Sequence, residues 1–258
     1  VWNRTPEATK DLAALGAEVA GTAAEAARGA AIVVTMVSDA DAVVAIARDE
    51  AMLAALQPGS IWAQMSTIGV AGIERVAAMV EAERPDITLL DAPVSGSKDP
   101  AEHGQLTIFA SGPEDTRSRV TPLFDPLGQR TIWVGEAGAG TRLKIVNNTW
   151  LALAAEAVAT SIALAQRIGL DTATVTDALG RGPLVSAWQA AKLEPIAQGD
   201  YSPQFALSLA LKDVRLASEA AGDDRFMALS GLADEWQQIA DAGAGGEDLT
   251  VVARELER

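Results

Sequence analysis

Three polar side chains suited to catalysis are spaced along one predicted helix. Lys144, Asn147 and Asn148 stand at positions i, i+3 and i+4, so they share one helix face. The surrounding residues are apolar, and burying an ammonium and two amides is costly unless each meets a polar partner. A lysine held partly away from water can serve as an acid or base near neutral pH. We therefore predict that this face meets a substrate. The alternative is a packed helix with three separate buried partners.

A second candidate is the loop Asp91–Ser97, which follows a predicted strand. In open α/β sheets, ligands bind outside the carboxyl ends of the strands. Ser95 offers a hydroxyl, and Gly96 allows backbone N–H groups to point inward, so the loop can hold a carboxylate. An ordinary Ser-Gly turn is the alternative explanation.

Two charged segments have both a functional and a plain interpretation. Asn3, Arg4 and Thr5 follow an apparent strand end at Val1–Trp2. In dinucleotide-binding folds an arginine after the second strand favours the 2′-phosphate of NADP; the alternative is a surface arginine. Lys212–Asp213 lies in a predicted apolar helix, where adjacent side chains point in different directions. One of the two side chains could reach a site while the other supports it. The alternative is a solvated charge pair.

Composition excludes several kinds of chemistry. The 258 residues contain no cysteine and one histidine, His103, which we expect at the surface, so thiol catalysis, disulfides and a metal site are not predicted. A net charge of −15 argues against nucleic-acid partners and anionic membrane surfaces. No segment reads as a signal peptide, and polar residues within Leu143–Ala165 disfavour a membrane span. We expect a cytoplasmic protein with no metal and no membrane partner.

Short apolar strands alternate with helices up to about Gly135, and only helices are predicted after it. The run Ala31–Val37 predicts a strand buried on both faces of a parallel sheet. This alternation indicates a Rossmann-type doubly wound sheet in residues 1–135, followed by an all-α domain in residues 136–258. The predicted helices of that domain are Thr141–Ile168, Thr172–Leu179, Ser186–Ile196, Phe205–Ala221, Phe226–Ala240 and Asp248–Leu256.

Taken in order, these residues resemble the β-hydroxyacid dehydrogenase family over essentially the whole chain. The matching motifs are the cofactor-selecting turn Asn3–Thr5, the nicotinamide-facing segment Met65–Thr67, the substrate-binding loop Asp91–Gly96, the catalytic segment Gly135–Asn148, and Phe205 with Lys212–Asp213. The family begins with a strand and a Gly-rich phosphate-binding loop. No counterpart precedes Val1, so we expect the first β-α unit, roughly 30 residues, to be missing.

The resemblance implies an NAD(P)H-dependent oxidoreductase that interconverts a small aldehyde acid and its hydroxy acid. It implies Lys144 as general acid/base and Asn148 as the residue that orients it. The implied substrate-binding residues are Ser95, Gly96, Asn147, Phe205 and Asp213, and the implied cofactor-binding residues are Asn3, Arg4, Thr5, Met36, Val37, Thr67 and Lys212. A helical domain similar to that of 6-phosphogluconate dehydrogenase implies a homodimer or homotetramer.

The finer identity depends on a few positions. Ser97-Lys98, followed by Pro100-Ala101-Glu102, looks more like the glyoxylate/succinic semialdehyde reductase branch than the 3-hydroxyisobutyrate dehydrogenases. Arg4 favours NADP, with NAD as the alternative. Two other functions stay open: an imine reductase on the same scaffold, and a non-catalytic cofactor-binding scaffold. Lys144 argues against both, because the imine reductases usually lack the Lys-x-x-Asn-Asn pattern and some non-catalytic relatives have lost the lysine.

Overall fold

The computed structural model describes residues 1–180, 182–223 and 225–257. The chain divides into two compact units, Val1–Gly96 with Pro100–Lys144, and Ser97–Asp99 with Ile145–Arg258. The division between Lys144 and Ile145 falls inside a long helix that begins at Ala139, whereas the sequence predicts a boundary after Gly135. The first turn of that helix belongs to the first unit because it packs against strands of that unit.

The first unit contains two three-stranded sheets. Its strands are β1 Ile32–Thr35, β2 Ile61–Gln64, β3 Thr88–Asp91, β4 Val94–Ser95, β5 Leu106–Ala110 and β6 Gly128–Trp133. The helices in this part of the chain are α1 Lys10–Ala14, α2 Ala23–Ala27, α3 Ala40–Arg48, α4 Met52–Ala55, α5 Gly69–Glu83, α6 Lys98–Glu102 and α7 Arg117–Leu127. The order in the first sheet is β1-β2-β3, all parallel, and the order in the second is β4-β5-β6.

The predicted Rossmann-type parallel sheet is confirmed, and the second sheet adds a feature that the sequence did not predict. β4 pairs with β5 in the antiparallel direction, whereas β5 and β6 are parallel. β4 has only two residues, too few for an apolar alternation to show. An antiparallel bridge between Asp91 and Ser111 joins the end of β3 to the residue after β5.

Two predictions for the first strands were wrong. The Ala31–Val37 run is not buried on both faces, because Val34 is 41% exposed and Met36 is 54% exposed. Its strand β1 pairs with β2 alone among the described residues, whereas all four positions of β2 are buried. Val1–Trp2 forms no strand; it is extended and hydrogen-bonds through the Val1 backbone to Glu18 and Ala20.

The second unit is built from helices, as predicted. They are α8 Ala139–Arg167, which starts in the first unit, α9 Thr172–Gly180, α10 Ala187–Gln198, α11 Leu207–Ala221, α12 Met227–Ile239 and α13 Val252–Glu257. Ile162 of α8, Leu207 of α11 and Trp236 of α12 are fully buried in its core.

Helix α8 is long and apolar. Among the described residues it is the one helix with the length and composition to cross a membrane. Core helices have the same length and composition, and α8 contributes Ala155, Ala159 and Ile162 to the core of the second unit.

Candidate active site

The carboxyl ends of the three parallel strands lie side by side at one edge of the first sheet. Their last residues Thr35, Gln64 and Asp91 are in register. The Gln64 amide accepts from Ser66 N at 2.7 Å and donates to Ser66 O at 2.9 Å. Ser66 Oγ in turn accepts from Val37 N at 2.8 Å. The loops after β1 and β2 are therefore fixed to each other at the edge where α/β folds bind nucleotides.

These loops carry three of the predicted cofactor-binding residues. Met36 is exposed, and Val37 and Thr67 are partly buried. Val37 is hydrogen-bonded to Ser66, the residue before Thr67.

The Asn3–Thr5 segment is a tight turn that presents its arginine to solvent. Thr5 N donates to Asn3 Oδ1 at 2.8 Å, so the Asn3 side chain shapes the turn. Arg4 is exposed. An exposed guanidinium fits the predicted role of meeting a phosphate, and equally fits a surface arginine.

The Ser95–Gly96 loop is sterically constrained. Ser95 lies opposite Thr107 in the β4–β5 pair. Gly96 has φ +137°, and a Cβ there would lie 2.6 Å from Leu106 Cδ2. Glycine is therefore required for the chain to leave β4 in this direction.

The start of α8 is in close contact with the strands of the first unit. A Cβ on Gly140 would lie 2.2 Å from the carbonyl oxygen of Phe109 and 3.0 Å from that of Asp91. Only glycine fits at that position, so Gly140 allows the helix to lie directly against β3 and β5.

A buried carboxylate holds this helix start. Asp91 is fully buried and accepts from Thr141 N at 2.8 Å, from Thr141 Oγ1 at 2.7 Å and from Ser111 Oγ at 3.2 Å. Gly140 N donates to Ser111 Oγ at 2.9 Å. Burial raises the pKa of Asp91, and the hydrogen bonds from Thr141 and Ser111 oppose that rise.

The sequence predicts Asp91 only as the start of the substrate-binding loop and not as an anchor for α8. An acidic residue at the end of an apolar strand was the available signal, because such a side chain is buried only when donors surround it.

Lys144 lies one turn after Thr141 on α8, and only 8% of it is exposed. Asn148 follows one turn later and is 4% exposed. Asn147 is partly buried and donates to Asn148 Oδ1 at 2.9 Å. The helix thus carries the predicted lysine and asparagines, with Lys144 and Asn148 largely withdrawn from water.

In the second unit the polar residues of α8 meet those of α11. Asn148 Nδ2 donates to Asp213 Oδ2 at 2.5 Å, and Lys212 Nζ lies 2.8 Å from Asp213 Oδ1. The prediction that the side chains of Lys212 and Asp213 diverge was wrong at their charged ends, because the flexible lysine chain folds back onto its neighbour. Asp213 is buried, so a fully solvated charge pair is also wrong.

Phe205 precedes α11 instead of starting it. It is partly buried against the core of the second unit, and its N–H donates to Asp248 Oδ2 at 3.1 Å. Asp248 is 2% exposed and also contacts Lys192 Nζ at 3.2 Å and Thr250 Oγ1 at 2.8 Å. The role of Asp248 was not predicted from the sequence, since its partners other than Thr250 are distant in sequence.

No metal-binding cluster occurs in residues 1–180, 182–223 and 225–257, where no three His, Cys, Asp or Glu side chains come together. His103 is exposed.

Comparison with known families gives two matches that together cover nearly the whole chain. Residues 1–135 match the NAD binding domain of 6-phosphogluconate dehydrogenase. Residues 138–256 match the NAD-binding domain of NADP-dependent 3-hydroxyisobutyrate dehydrogenase.

Individual relatives agree with these matches. Glyoxylate/succinic semialdehyde reductase 1 of Arabidopsis thaliana is 30% identical over 98% of this chain and 88% of that protein. The structure of Mycobacterium tuberculosis 3-hydroxyisobutyrate dehydrogenase with L-serine superimposes with a TM-score of 0.86 at 30% identity, over 100% of this chain and 90% of the other. An imine reductase from Myxococcus stipitatus, at 22% identity, 98% and 90% coverage and a TM-score of 0.61, shares the fold.

A Rossmann-type sheet followed by a helical domain, matched throughout by NAD(P)-binding families, defines an NAD(P)-dependent oxidoreductase. The chain belongs to the β-hydroxyacid dehydrogenase family. Its class of activity is that of an NAD(P)-dependent hydroxyacid dehydrogenase.

Proposed function

We propose that the protein is an NADPH-dependent reductase that converts a small aldehyde acid to its hydroxy acid, with Lys144 as the general acid. The observation that carries this proposal is the burial of Lys144, at 8% exposure, on the helix face that also holds Asn147 and Asn148. Burying an ammonium group is expensive. A catalytic proton transfer is a reason to keep it there.

The reaction needs one proton and one hydride. NADPH, when bound, would supply the hydride to the aldehyde carbon, and the carbonyl oxygen would gain negative charge. Lys144 Nζ donates a proton to that oxygen and is left as a neutral amine; in the oxidation direction it takes the hydroxyl proton back. Asn148 orients the lysine, while its own amide is held by Asp213.

Substrate binding is assigned to groups that suit a short carboxylate. The Ser95 hydroxyl and the backbone N–H groups around Gly96 would hold the carboxylate. Asn147, Phe205 and Asp213 would make the remaining contacts.

NADPH is favoured over NADH because the Asn3–Thr5 turn contains an arginine, Arg4, whose guanidinium would neutralise a 2′-phosphate. The residues assigned to the cofactor are Asn3, Arg4, Thr5, Met36, Val37, Thr67 and Lys212. Replacing Arg4 by Ala should raise the KM for NADPH about tenfold, the value of one charge-assisted hydrogen bond, and leave that for NADH unchanged. Arg28→Ala, another exposed arginine of the first unit, is the control. Equal effects on both cofactors would contradict the assignment.

The proposed substrates are glyoxylate and succinic semialdehyde. The Arabidopsis relative carries these two substrates in its name, and the Ser97-Lys98 sequence favours this branch over 3-hydroxyisobutyrate. The test is loss of NADPH absorbance by the protein as its gene encodes it, with glyoxylate, succinic semialdehyde, tartronate semialdehyde and methylmalonate semialdehyde, and NADH in parallel. Turnover of either of the first two supports the branch. Turnover of methylmalonate semialdehyde alone would move the protein to the 3-hydroxyisobutyrate branch.

The same assay tests the other functions. Reduction of cyclic imines with none of the four aldehydes turned over would establish an imine reductase. NADPH binding without any turnover would indicate a cofactor-binding scaffold.

We also propose that the protein forms a homodimer or homotetramer through its helical domain. One face of α8 exposes Val146 at 66%, Trp150 at 80% and Leu164 at 55%, and Ile168, the residue directly after α8, is 66% exposed. These positions follow the helical repeat, so they form a single apolar stripe. A two-fold axis would bury the same stripe of a second copy against it.

Light scattering after size exclusion tests this proposal. The expected mass is that of two or four chains, and Trp150→Glu should shift it towards one. Leu184→Glu is the matched control, because Leu184 is 87% exposed outside the stripe. A monomeric wild type would overturn the proposal, and sedimentation with phospholipid vesicles would instead assign the stripe to a membrane.

A further inference from the structure

The first turn of α8 is anchored by side chains that lie far away in the sequence. The first N–H groups of a helix have no acceptor within the helix itself. Here Thr141 N donates to the Asp91 carboxylate and Gly140 N donates to the Ser111 hydroxyl. We call Asp91, Ser111 and Thr141 the helix-start clamp.

The clamp is buried, and its donors face the acceptor oxygens of a carboxylate. Asp91 and Ser111 are fully buried, and Thr141 is 1% exposed. The Asp91 carboxylate acts only as an acceptor here, from Thr141 N, Thr141 Oγ1 and Ser111 Oγ. A negative group at a helix start is also favoured by the helix dipole. The clamp therefore fixes both the position and the rotation of the first turn.

Lys144 lies directly beyond this clamp. Thr141 and Lys144 are three residues apart, so their side chains are neighbours on the helix surface. The close contact of Gly140 with the Phe109 carbonyl removes any room for the helix to shift towards β5. A change in the clamp would thus move the base of the lysine side chain.

We propose that Asp91 is a positioning residue for Lys144, acting through Thr141. It sets the position from which the ammonium group reaches the substrate. The proposal rests on the proposed role of Lys144 as general acid. A misplacement of about 1 Å costs catalysis up to about a hundredfold.

The test compares Thr141→Val with Thr141→Ser in the NADPH-dependent reductase assay. Valine keeps the backbone N–H donor to Asp91 but removes the hydroxyl donor, and serine keeps both. Thr141→Val should lower kcat about tenfold with the KM for NADPH unchanged. Thr141→Ser should restore kcat to within about twofold of wild type.

A double-variant cycle separates positioning from a general structural defect. In a Lys144→Ala background, Thr141→Val should change the residual rate by less than about twofold, because no lysine remains to be misplaced. A defect that acts elsewhere would lower the rate equally in both backgrounds. Ser111→Ala perturbs the clamp through a different group and should likewise lower kcat only when Lys144 is present. It provides the test if Thr141→Val folds poorly.

The outcomes distinguish this inference from the proposed function. If Lys144→Ala keeps full turnover, the role of Lys144 and the inference both fail. If Lys144→Ala is inactive while the Thr141 and Ser111 variants keep wild-type kcat, or lose equally in both backgrounds, the inference alone is overturned.

Discussion

The two helices that carry the candidate residues begin in different ways. At the start of α8, the Gly140 and Thr141 N–H groups donate to the side chains of Ser111 and Asp91. At the start of α11, Leu207 N donates to the Glu247 carbonyl at 2.8 Å, and Ser208 N to the Gly245 carbonyl at 2.9 Å. Ala206 before α11 makes no side-chain cap.

This difference predicts where single substitutions act. The start of α8 depends on individual side chains that mutation can remove. The start of α11 depends on main-chain carbonyls, which substitution leaves in place. Asp248 links the segment before α11 to its own loop, because its carboxylate accepts hydrogen bonds from Phe205 N and Thr250 Oγ1. We therefore expect Asp248 to contribute strongly to the stability of the second unit, as the helix-start clamp fixes the start of α8 in the first unit.

The largest effect is expected at Asp248. Replacement by Ala should lower the free energy of unfolding by about 3 kcal/mol, because Lys192 loses its partner and the Gln204 and Phe205 N–H groups lose an acceptor. Urea unfolding measures this change. Asp234→Ala, at an exposed position of α12, should change it by less than about 0.5 kcal/mol. Equal losses of unfolding free energy in the two variants would show that Asp248 does not stabilise the second unit.

The contact of α8 with the strands predicts the next effect. Gly140→Ala should lower the free energy of unfolding by about 2 kcal/mol, since its Cβ would overlap the Phe109 carbonyl oxygen. Gly231→Ala, also within a helix but with nothing within 4 Å of its Cβ, should raise stability by about 0.5 kcal/mol. Chemical denaturation of the pair gives the comparison. A neutral Gly140→Ala would show that the close approach is not needed.

A smaller loss is expected at Ser111. Its replacement by Ala leaves the Gly140 N–H without that acceptor and should cost about 1 kcal/mol. Ser230→Ala, at an exposed position of α12, serves as the control and should stay within about 0.5 kcal/mol of wild type. A thermal unfolding series on both variants decides whether the clamp contributes to stability at all.

The smallest effect is a pH dependence carried by Asp91. Burial raises its pKa in the folded state above the unfolded value. The free energy of unfolding, measured relative to Asp91→Asn, is therefore highest below the unfolded pKa and falls as pH rises through the folded pKa. Urea titrations from acid to neutral pH should show this direction. A difference that grows with pH would mean that hydrogen bonding outweighs desolvation at Asp91.

Periodicity and glycine placement predicted most of the fold. The strand–helix alternation, the long helix α8 and the polar face carrying Lys144 all follow from spacing within one element. The prediction that the Ala31–Val37 strand is buried on both faces was wrong, because burial depends on which strands and helices lie beside a strand and not on its own residues.

The polar network of the candidate site was less accessible to prediction. Asp91, Ser111 and Asp248 act through partners between 20 and 56 positions away in the sequence, apart from Thr250. The Lys212–Asp213 contact depends on a side-chain conformation that adjacency does not determine. Cofactor preference, assembly and cytoplasmic location remain predictions.

The role of Lys144 as the general acid is tested by the turnover of Lys144→Ala. With NADPH and the best aldehyde acid, kcat should fall about 10²–10⁴-fold while the Kd for NADPH stays near that of wild type. Lys10→Ala, an exposed lysine of the first unit, should keep kcat within about twofold. Full turnover by Lys144→Ala would contradict this role of Lys144 and require another acid for the reaction.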